Sequence, residues 1–208
     1  MTEETELCRI CRHYGSDKGG NHLLAGDTCH NYTPTYYNLF QHKRESVDAV
    51  LEIGVNYGCS VRMWEEFFPS AHIYGLDSNL SCLFTAGRIT CLAADQGSKA
   101  SLLSAMEQIG QKFDMIVDDG SHDESHQVLS AITLMPFLKP DGVYVIEDIA
   151  YDCQPERYIT PILAAGGPQW QAEAVDVGHG IGKAHCWDEC PKCHGKEGER
   201  LILIRHNG

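Results

Sequence analysis

The sequence predicts a three-layer α/β fold on one mostly parallel, seven-stranded sheet whose final strand is antiparallel. Three observations carry this. Short apolar runs alternate with helical stretches from Asp48 onward. The first run, VLEIGVNYGCS at 50–60, turns through glycines into a helix start. Successive runs end in acids: Glu52, Asp77, Asp95, Asp118 with Asp119, and Glu147 with Asp148. Strand, helix and strand at this spacing give a covered parallel sheet with ligands at the strands' carboxyl ends, a Rossmann-like layout.

In chain order, residues 1–48 read as an N-terminal lid segment. ELCRICRHYGSDKGGNH mixes polar groups with glycines and is neither a simple helix nor a strand, whereas a helix is expected from about Pro34, with Tyr36, Leu39, Phe40 and Lys43 on a partly apolar face. Strands follow at 49–53, 72–77, 89–94, 113–118 and 142–147, and helices at 59–67, about 81–86, 98–109 and 124–137. After a looser stretch at 150–169, strands at about 171–177 and 200–206 read as a terminal antiparallel hairpin. Its Cys-rich connection, about 179–199, then lies over the carboxyl edge of the sheet, and residues 49–208 form one domain. Trp64 and FFP at 67–69 read as core; Trp170 and Trp187 border less regular segments and are the better aromatic candidates for a pocket, with covering of core or a dimer contact as the alternatives, so neither is placed in the site.

At 208 residues the chain supports one substantial core, without an internal repeat. Its apolar runs are too short for a membrane span and MTEETE does not resemble a signal peptide, so a cytoplasmic protein is expected. With 16 Lys and Arg against 29 Asp and Glu, and no basic block, nucleic acid is not the expected partner. A homodimer is left open.

The glycine turn points to a nucleotide-like cofactor. Gly54 and Gly58 let backbone approach a ligand, Asn56 shapes the turn, and the helix opening at Ser60 offers unpaired N–H groups. Asp77 ends the second strand 25 residues after Glu52, where an acid can take both ribose hydroxyls. NAD and S-adenosylmethionine both satisfy this pattern; the missing third glycine leans towards S-adenosylmethionine. Glu52, Asp118 and the turn at Asp95 and Gln96 share that strand edge.

MIVDDGSHDESH, 115–126, carries the chemistry. Asp119 is placed for a cation and His122 for a general base; the bland alternative is that Asp119 and Ser121 merely cap the next helix. Glu147 and Asp148 on the neighbouring strand favour the first reading. With Asp119 they make a hard oxygen set suited to Mg²⁺, and without a cation they would repel one another. His126 reads as a surface or supporting residue.

The ten cysteines are unevenly placed. Cys59, Cys82, Cys91 and Cys153 are isolated and read as small packed side chains. Cys8 with Cys11 and Cys190 with Cys193 form two CxxC pairs, spaced for a structural Zn²⁺ clamp joining the lid to the last loop, with Cys186, His185 and His194 as alternates. Free thiols and a redox pair are the competing readings.

These motifs resemble the metal-dependent class I sugar O-methyltransferases of macrolide and other natural-product pathways. The resemblance rests on GSDKG at 15–19, HNYTPTYYNLF at 30–40, LEIGVNYGCSVRMWEEFFPSAHIYGLD at 51–77, VDDGSH at 117–122 and GVYVIED at 142–148. It implies a class I methyltransferase fold using S-adenosylmethionine and Mg²⁺ on a hydroxylated small molecule, a sugar or natural product. By resemblance, Asp119, Glu147 and Asp148 would hold Mg²⁺ and His122 would be the base. Gly54, Asp77 and the Asp95–Gln96 turn would face methionine, ribose and adenine, while Ser16, Lys18 and Tyr32 would help close the site. HCWDECPKCH at 185–194 departs from the family, and so does the little room for additional lid structure. A catechol-type O-methyltransferase and a zinc-stabilised, non-catalytic binding protein on the same fold are the alternatives; a nicotinamide oxidoreductase would leave the acids on the metal side unexplained.

Overall fold

The computed structural model describes residues 4–19, 30–150, 153–177 and 199–207. One sheet runs through it. Its strands are β1 (Ala49–Ile53), β2 (His72–Asp77), β3 (Thr85–Ala86), β4 (Ile89–Ala93), β5 (Phe113–Asp118), β6 (Leu138–Ala150), β7 (Trp170–Asp176) and β8 (Glu199–His206), in the order β3-β4-β2-β1-β5-β6-β8-β7. The pairings β4 to β2, β2 to β1, β1 to β5 and β5 to β6 are parallel, and β8 is antiparallel to both β6 and β7. The expected mostly parallel sheet with its reversed last strand is present, with eight strands among the described residues where seven were expected, the two-residue β3 being the addition. β1 is buried along its whole length, as an apolar strand covered on both faces must be.

The helices are α1 (Glu6–Tyr14), α2 (Thr33–Phe40), α3 (Cys59–Phe67), α4 (Lys99–Ile109), α5 (Glu124–Leu134) and α6 (Glu156–Gly166). Two buried clusters sandwich the sheet. One joins Leu7, Tyr36, Phe40, Trp64 and Phe67 to Val50 and Val117; the other joins Leu102, Met106, Leu134 and Ile162 to Leu51 and Ile116. The segment expected as a lid thus contributes α1 and α2 to the first layer.

Three differences from expectation have physical causes. α1 exists because Thr5 caps it, accepting from Cys8 N, Gly15 ends it at φ +69°, and Leu7, Ile10 and Cys11 share its buried face. α6 exists despite Pro161, its Tyr158 and Ile162 being buried against the sheet. Residues 81–86 are no helix: a short turn, Leu80–Cys82, leads to β3, which pairs with β4 across Gly87 and Arg88, Gly87 taking φ +57°. Trp64 is core, as expected, and Trp170 is buried against the core and packs on His206, the second of its expected placements. Trp187 and nearly all of the Cys-rich connection fall outside the described residues.

Candidate active site

The carboxyl ends of β1, β2, β5 and β6 meet at one edge, and backbone geometry there is unusual. Among the described residues, the non-glycine residues with positive φ are Asn31, Asn56, His122 and Asp148. Such conformations persist where surrounding structure enforces them, and they concentrate at functional sites.

Asp77 ties the glycine turn to β2. Its Oδ2 accepts from Val55 N at 2.9 Å and Asn56 N at 3.1 Å, and its Oδ1 from Asn79 N at 2.8 Å. Gly54, at φ +92°, passes against the backbone of Asp119. Asn56 is exposed at the mouth, and Asp95, also exposed, accepts from Gly97 N at 2.9 Å. Gly54 and Asn56 follow β1, Asp77 ends β2 and Asp95 follows β4, so all four lie at the carboxyl edge of the sheet.

Three residues expected to face the cofactor have their side chains engaged elsewhere. Asp118 is buried and accepts from Gln96 Nε2 at 2.6 Å, from Tyr144 at 3.0 Å and from Ser130. Gln96 spends its other end on Ser121 N at 2.8 Å, so its amide braces the β5–α5 turn. Burial raises the Asp118 carboxyl to about 6, despite those three donors. Glu52 is likewise buried, accepting from Ser60 at 2.8 Å, and burial raises it to about 7 with Lys18 opposing.

The reactive turn is open. Asp123, not Asp119 or Ser121, is the α5 N-cap, accepting from Ser125 N and His126 N, so Asp119 is not consumed by capping. His122 Nε2 stands 3.3 Å from Asp119 Oδ1 and 3.1 Å from Asp148 Oδ2. Atoms of Asp119, His122 and Asp148 all lie within 4.8 Å of one another, a spacing that fits one divalent ion. The hydrogen bond with Asp119 chiefly raises the His122 pKa, with Asp148 adding to it. His126 supports the turn through Ser121 Oγ at 3.0 Å.

Glu147, expected beside Asp119 and Asp148, shares the Lys18 ammonium with Asp119 but faces inward, opposite to Asp148. Consecutive strand residues face opposite sides, and the pairing of β6 with β8 shifts register between Ile146 and Ile149, where Asp148 takes φ +59°. Glu147 is therefore buried, accepting from Tyr36 at 2.5 Å and from Lys18, while Asp148 faces out. Tyr32 donates to Asp148 Oδ1 at 2.9 Å, and His30 Nδ1 lies 3.3 Å from the same oxygen. Sequence reasoning missed His30 and Tyr36, although both stand inside HNYTPTYYNLF, which had been singled out as a motif.

Lys18 is 1% exposed, with its ammonium among Glu52, Asp119 and Glu147. Burial would discharge it; the three carboxylates outweigh that and hold it charged. Asp119, which burial would raise, is held well below the usual carboxylate range by Lys18 and His122. Ser16 is buried; its carbonyl accepts from Cys11 Sγ at 3.1 Å. Cys11 is a core thiol that burial pushes up to about 12, and Cys8 Sγ lies 3.1 Å from Thr33 Oγ1. Cys190 and Cys193 are outside the described residues.

The sheet, its flanking helices and this edge have the layout of the class I, Rossmann-like methyltransferase fold. Residues 51–149 match the family model described as Methyltransferase domain. The chain is related to the O-methyltransferases of the mycinamicin and tetracenomycin pathways. It is 35% identical over 150 residues to the 8-demethyl-8-alpha-L-rhamnosyl tetracenomycin-C 2'-O-methyltransferase of Streptomyces olivaceus, covering 69% of this chain and 37% of that protein. It is 39% identical over 127 residues to the mycinamicin VI 2''-O-methyltransferase of Micromonospora griseorubida, covering 58% and 32%. The chain thus spans about a third of the length of the curated relatives it matches. The MycE methyltransferase structure in complex with Mg, SAH and mycinamycin VI superposes with a TM-score of 0.61 at 33% identity, over 71% of this chain and 38% of that one. A Klebsiella pneumoniae structure at 14% identity covers 100% of this chain and 93% of its own with a TM-score of 0.54, and shows the fold alone.

Proposed function

We propose that the protein is an S-adenosylmethionine- and Mg²⁺-dependent O-methyltransferase acting on a hydroxyl of a small molecule, a sugar or other natural product. The observation that carries this is the group Asp119, His122 and Asp148, open at the sheet edge one turn from Gly54. The printed activities of the relatives support it.

In this reading Gly54 and Asn56 line the methionine and ribose side, Asp77 takes a ribose hydroxyl at Oδ1, on the lone pair left beside Asn79 N, and the Asp95–Gln96 turn borders adenine through its backbone. Asp119 and Asp148 would hold Mg²⁺, with water and the acceptor completing its shell. When bound, the ion lowers the pKa of an acceptor hydroxyl and orients it. His122 takes the hydroxyl proton at Nε2 as oxygen attacks the sulfonium methyl, while Asp119 and Asp148 stabilise the imidazolium that forms. The protein's main contribution is in-line placement, since the sulfonium is already activated. The described parts of residues 1–48 cover the sheet through α1 and α2, with Ser16, Lys18 and Tyr32 on the side of the acids.

Zinc at Cys8, Cys11, Cys190 and Cys193 is a separate proposal; Cys8 and Cys11 stand one turn apart on α1, but the bond from Cys11 to Ser16 O would have to break. Metal analysis of the purified protein decides it: about one Zn²⁺ per chain that is lost in Cys11→Ser supports the clamp, and none refutes it. The formal charge of −13 supports a small acceptor over nucleic acid, and a cytoplasmic location goes with that reading. Among the described residues no helix is long and apolar enough to cross a membrane.

The test is methyl transfer from labelled S-adenosylmethionine to a panel of glycosides and catechols, with Mg²⁺ or a chelator. Mg²⁺-dependent labelling of a glycoside, lost in His122→Ala with S-adenosylmethionine binding intact, is the expected result. Labelling of catechols alone moves the acceptor class. Cofactor binding with no transfer to any acceptor contradicts the assigned chemistry.

A further inference from the structure

His122 takes φ +56°, where the Cβ of an L-residue crowds its own backbone, so bonds from outside the turn must hold it there. Those bonds converge on its two chain neighbours. Ser121, just before it, donates its N–H to Gln96 Oε1 at 2.8 Å and has its Oγ 3.0 Å from His126 Nδ1. Asp123, just after it, accepts from His126 N at 3.2 Å. One residue of α5 thus grips the turn on both sides of His122, by its ring before and by its backbone after.

The ring also has a seat. A Cβ on Gly97 would stand 2.8 Å from His126 Nε2 and 3.1 Å from Cδ2 and Cε1, so a glycine there gives the imidazole its room against the turn after β4. Gly120 is matched in the same way to Gln96, whose Oε1 a Cβ at that position would overlap. Side chains of the two turns interlock over glycines, and His126 meets both, Ser121 at Nδ1 and Gly97 at the far edge of its ring. A residue in the first turn of α5 needs neither contact to form its helix, since Asp123 already supplies the cap.

Resting on the reading of His122 as the base, we propose that His126 is a positioning residue for it. Its Nδ1 fixes Ser121, its N–H fixes Asp123, and its ring beds the turn on Gly97, so that His122 is presented to the acceptor in one orientation. Losing the Ser121 contact then lowers the rate and not the cofactor affinity, because a base that wanders is aligned for a smaller share of the time.

Three single variants of the full chain separate this role from packing. His126→Asn has an amide that can donate or accept at the place of Nδ1 but leaves Gly97 uncovered; His126→Phe keeps a ring there and loses the bond; Ser121→Ala removes the bond from the other partner. With folding of each checked by circular dichroism, amide-nitrogen NMR relaxation reads the backbone at Ser121, His122 and Asp123. Labelled S-adenosylmethionine with the glycosides and catechols of the panel above reads kcat and KM. The turn should be rigid, with order parameters of about 0.85, in wild type and His126→Asn, and should fall towards ~0.6 in His126→Phe and Ser121→Ala. The latter two should lose ~10-fold or more in kcat at an unchanged KM for S-adenosylmethionine, while His126→Asn stays within ~3-fold of wild type. The reverse order, with His126→Phe rigid and active and His126→Asn impaired, overturns the proposal, and so does an equally rigid turn in all the variants. The relaxation result decides even if the panel lacks the true acceptor. A loosened turn with an unchanged kcat overturns the positioning role too, and His122→Ala then shows whether the base reading falls with it: transfer lost keeps the base, transfer kept removes it.

Discussion

Gly54 and Asp119 meet backbone to backbone: a Cβ on Gly54 would stand 2.0 Å from the Asp119 carbonyl oxygen. The glycine turn after β1 and the turn that carries Asp119 are therefore packed as one unit. Gly54→Ala should cost about 2 kcal/mol or more, from the clash and from placing a side chain at φ +92°. Urea denaturation checks this, and loss of S-adenosylmethionine binding should accompany it. An alanine variant as stable as wild type would mean that the two turns are not in contact.

The Asp118 network makes a pH prediction. Burial raises this carboxyl from 3.8 to about 6, so between those values the folded state binds the proton that the unfolded state releases. Stability falls as pH rises through that window and is flat above it. The shift of about two pH units corresponds to about 3 kcal/mol. Asp118→Asn should remove that share of the slope in urea midpoints measured from pH 4 to 7. A variant with the wild-type slope would show that Asp118 is not the group responsible.

Tyr36 completes the Glu147 carboxylate inside the core, at 2.5 Å. Tyr36→Phe leaves that oxygen buried without its donor and should destabilise the protein by about 1–3 kcal/mol. Thermal unfolding with and without Mg²⁺ reads it, and a neutral effect would contradict the buried placement of Glu147.

His122 should titrate above the ordinary imidazole value in the metal-free protein, because Asp119 and Asp148 both favour its charged form. Asp119→Asn removes the larger cause and should bring the value down, as followed by NMR of the ring protons. An unchanged titration would mean that His122 does not face Asp119 in solution.

Much of this architecture is legible in the chain. AVLEI, with Glu52 next to its end, and HIYGLD and FDMIVD, which end in acids, are short apolar runs, and the structure places strands at the expected limits 49–53, 72–77 and 113–118. Local signals also existed for α1, where Thr5 and Gly15 bracket Leu7, Ile10 and Cys11, but neighbouring glycines obscured them. α6 was hidden by Pro161, whose cost is met by packing of Tyr158 and Ile162 that no local pattern reveals.

The site was readable as a set of residue types and less so as directions. Asp119 and His122 follow from one turn, and they lie together. Which of Glu147 and Asp148 faces out depends on a register shift against β8, some fifty residues away in the chain, so spacing alone could not decide it. The burial of Lys18 depends on acids from three strands, and a lysine between glycines gives no local sign of that.

The most direct test of the catalytic reading is a crystal structure with S-adenosylhomocysteine and Mn²⁺, using anomalous scattering at the manganese edge. The account predicts the cofactor product along Gly54 and Asp77 and a manganese peak bridging Asp119 and Asp148, with His122 beside it. Absence of the product from that groove, or a manganese ion bound away from both carboxylates, would contradict it.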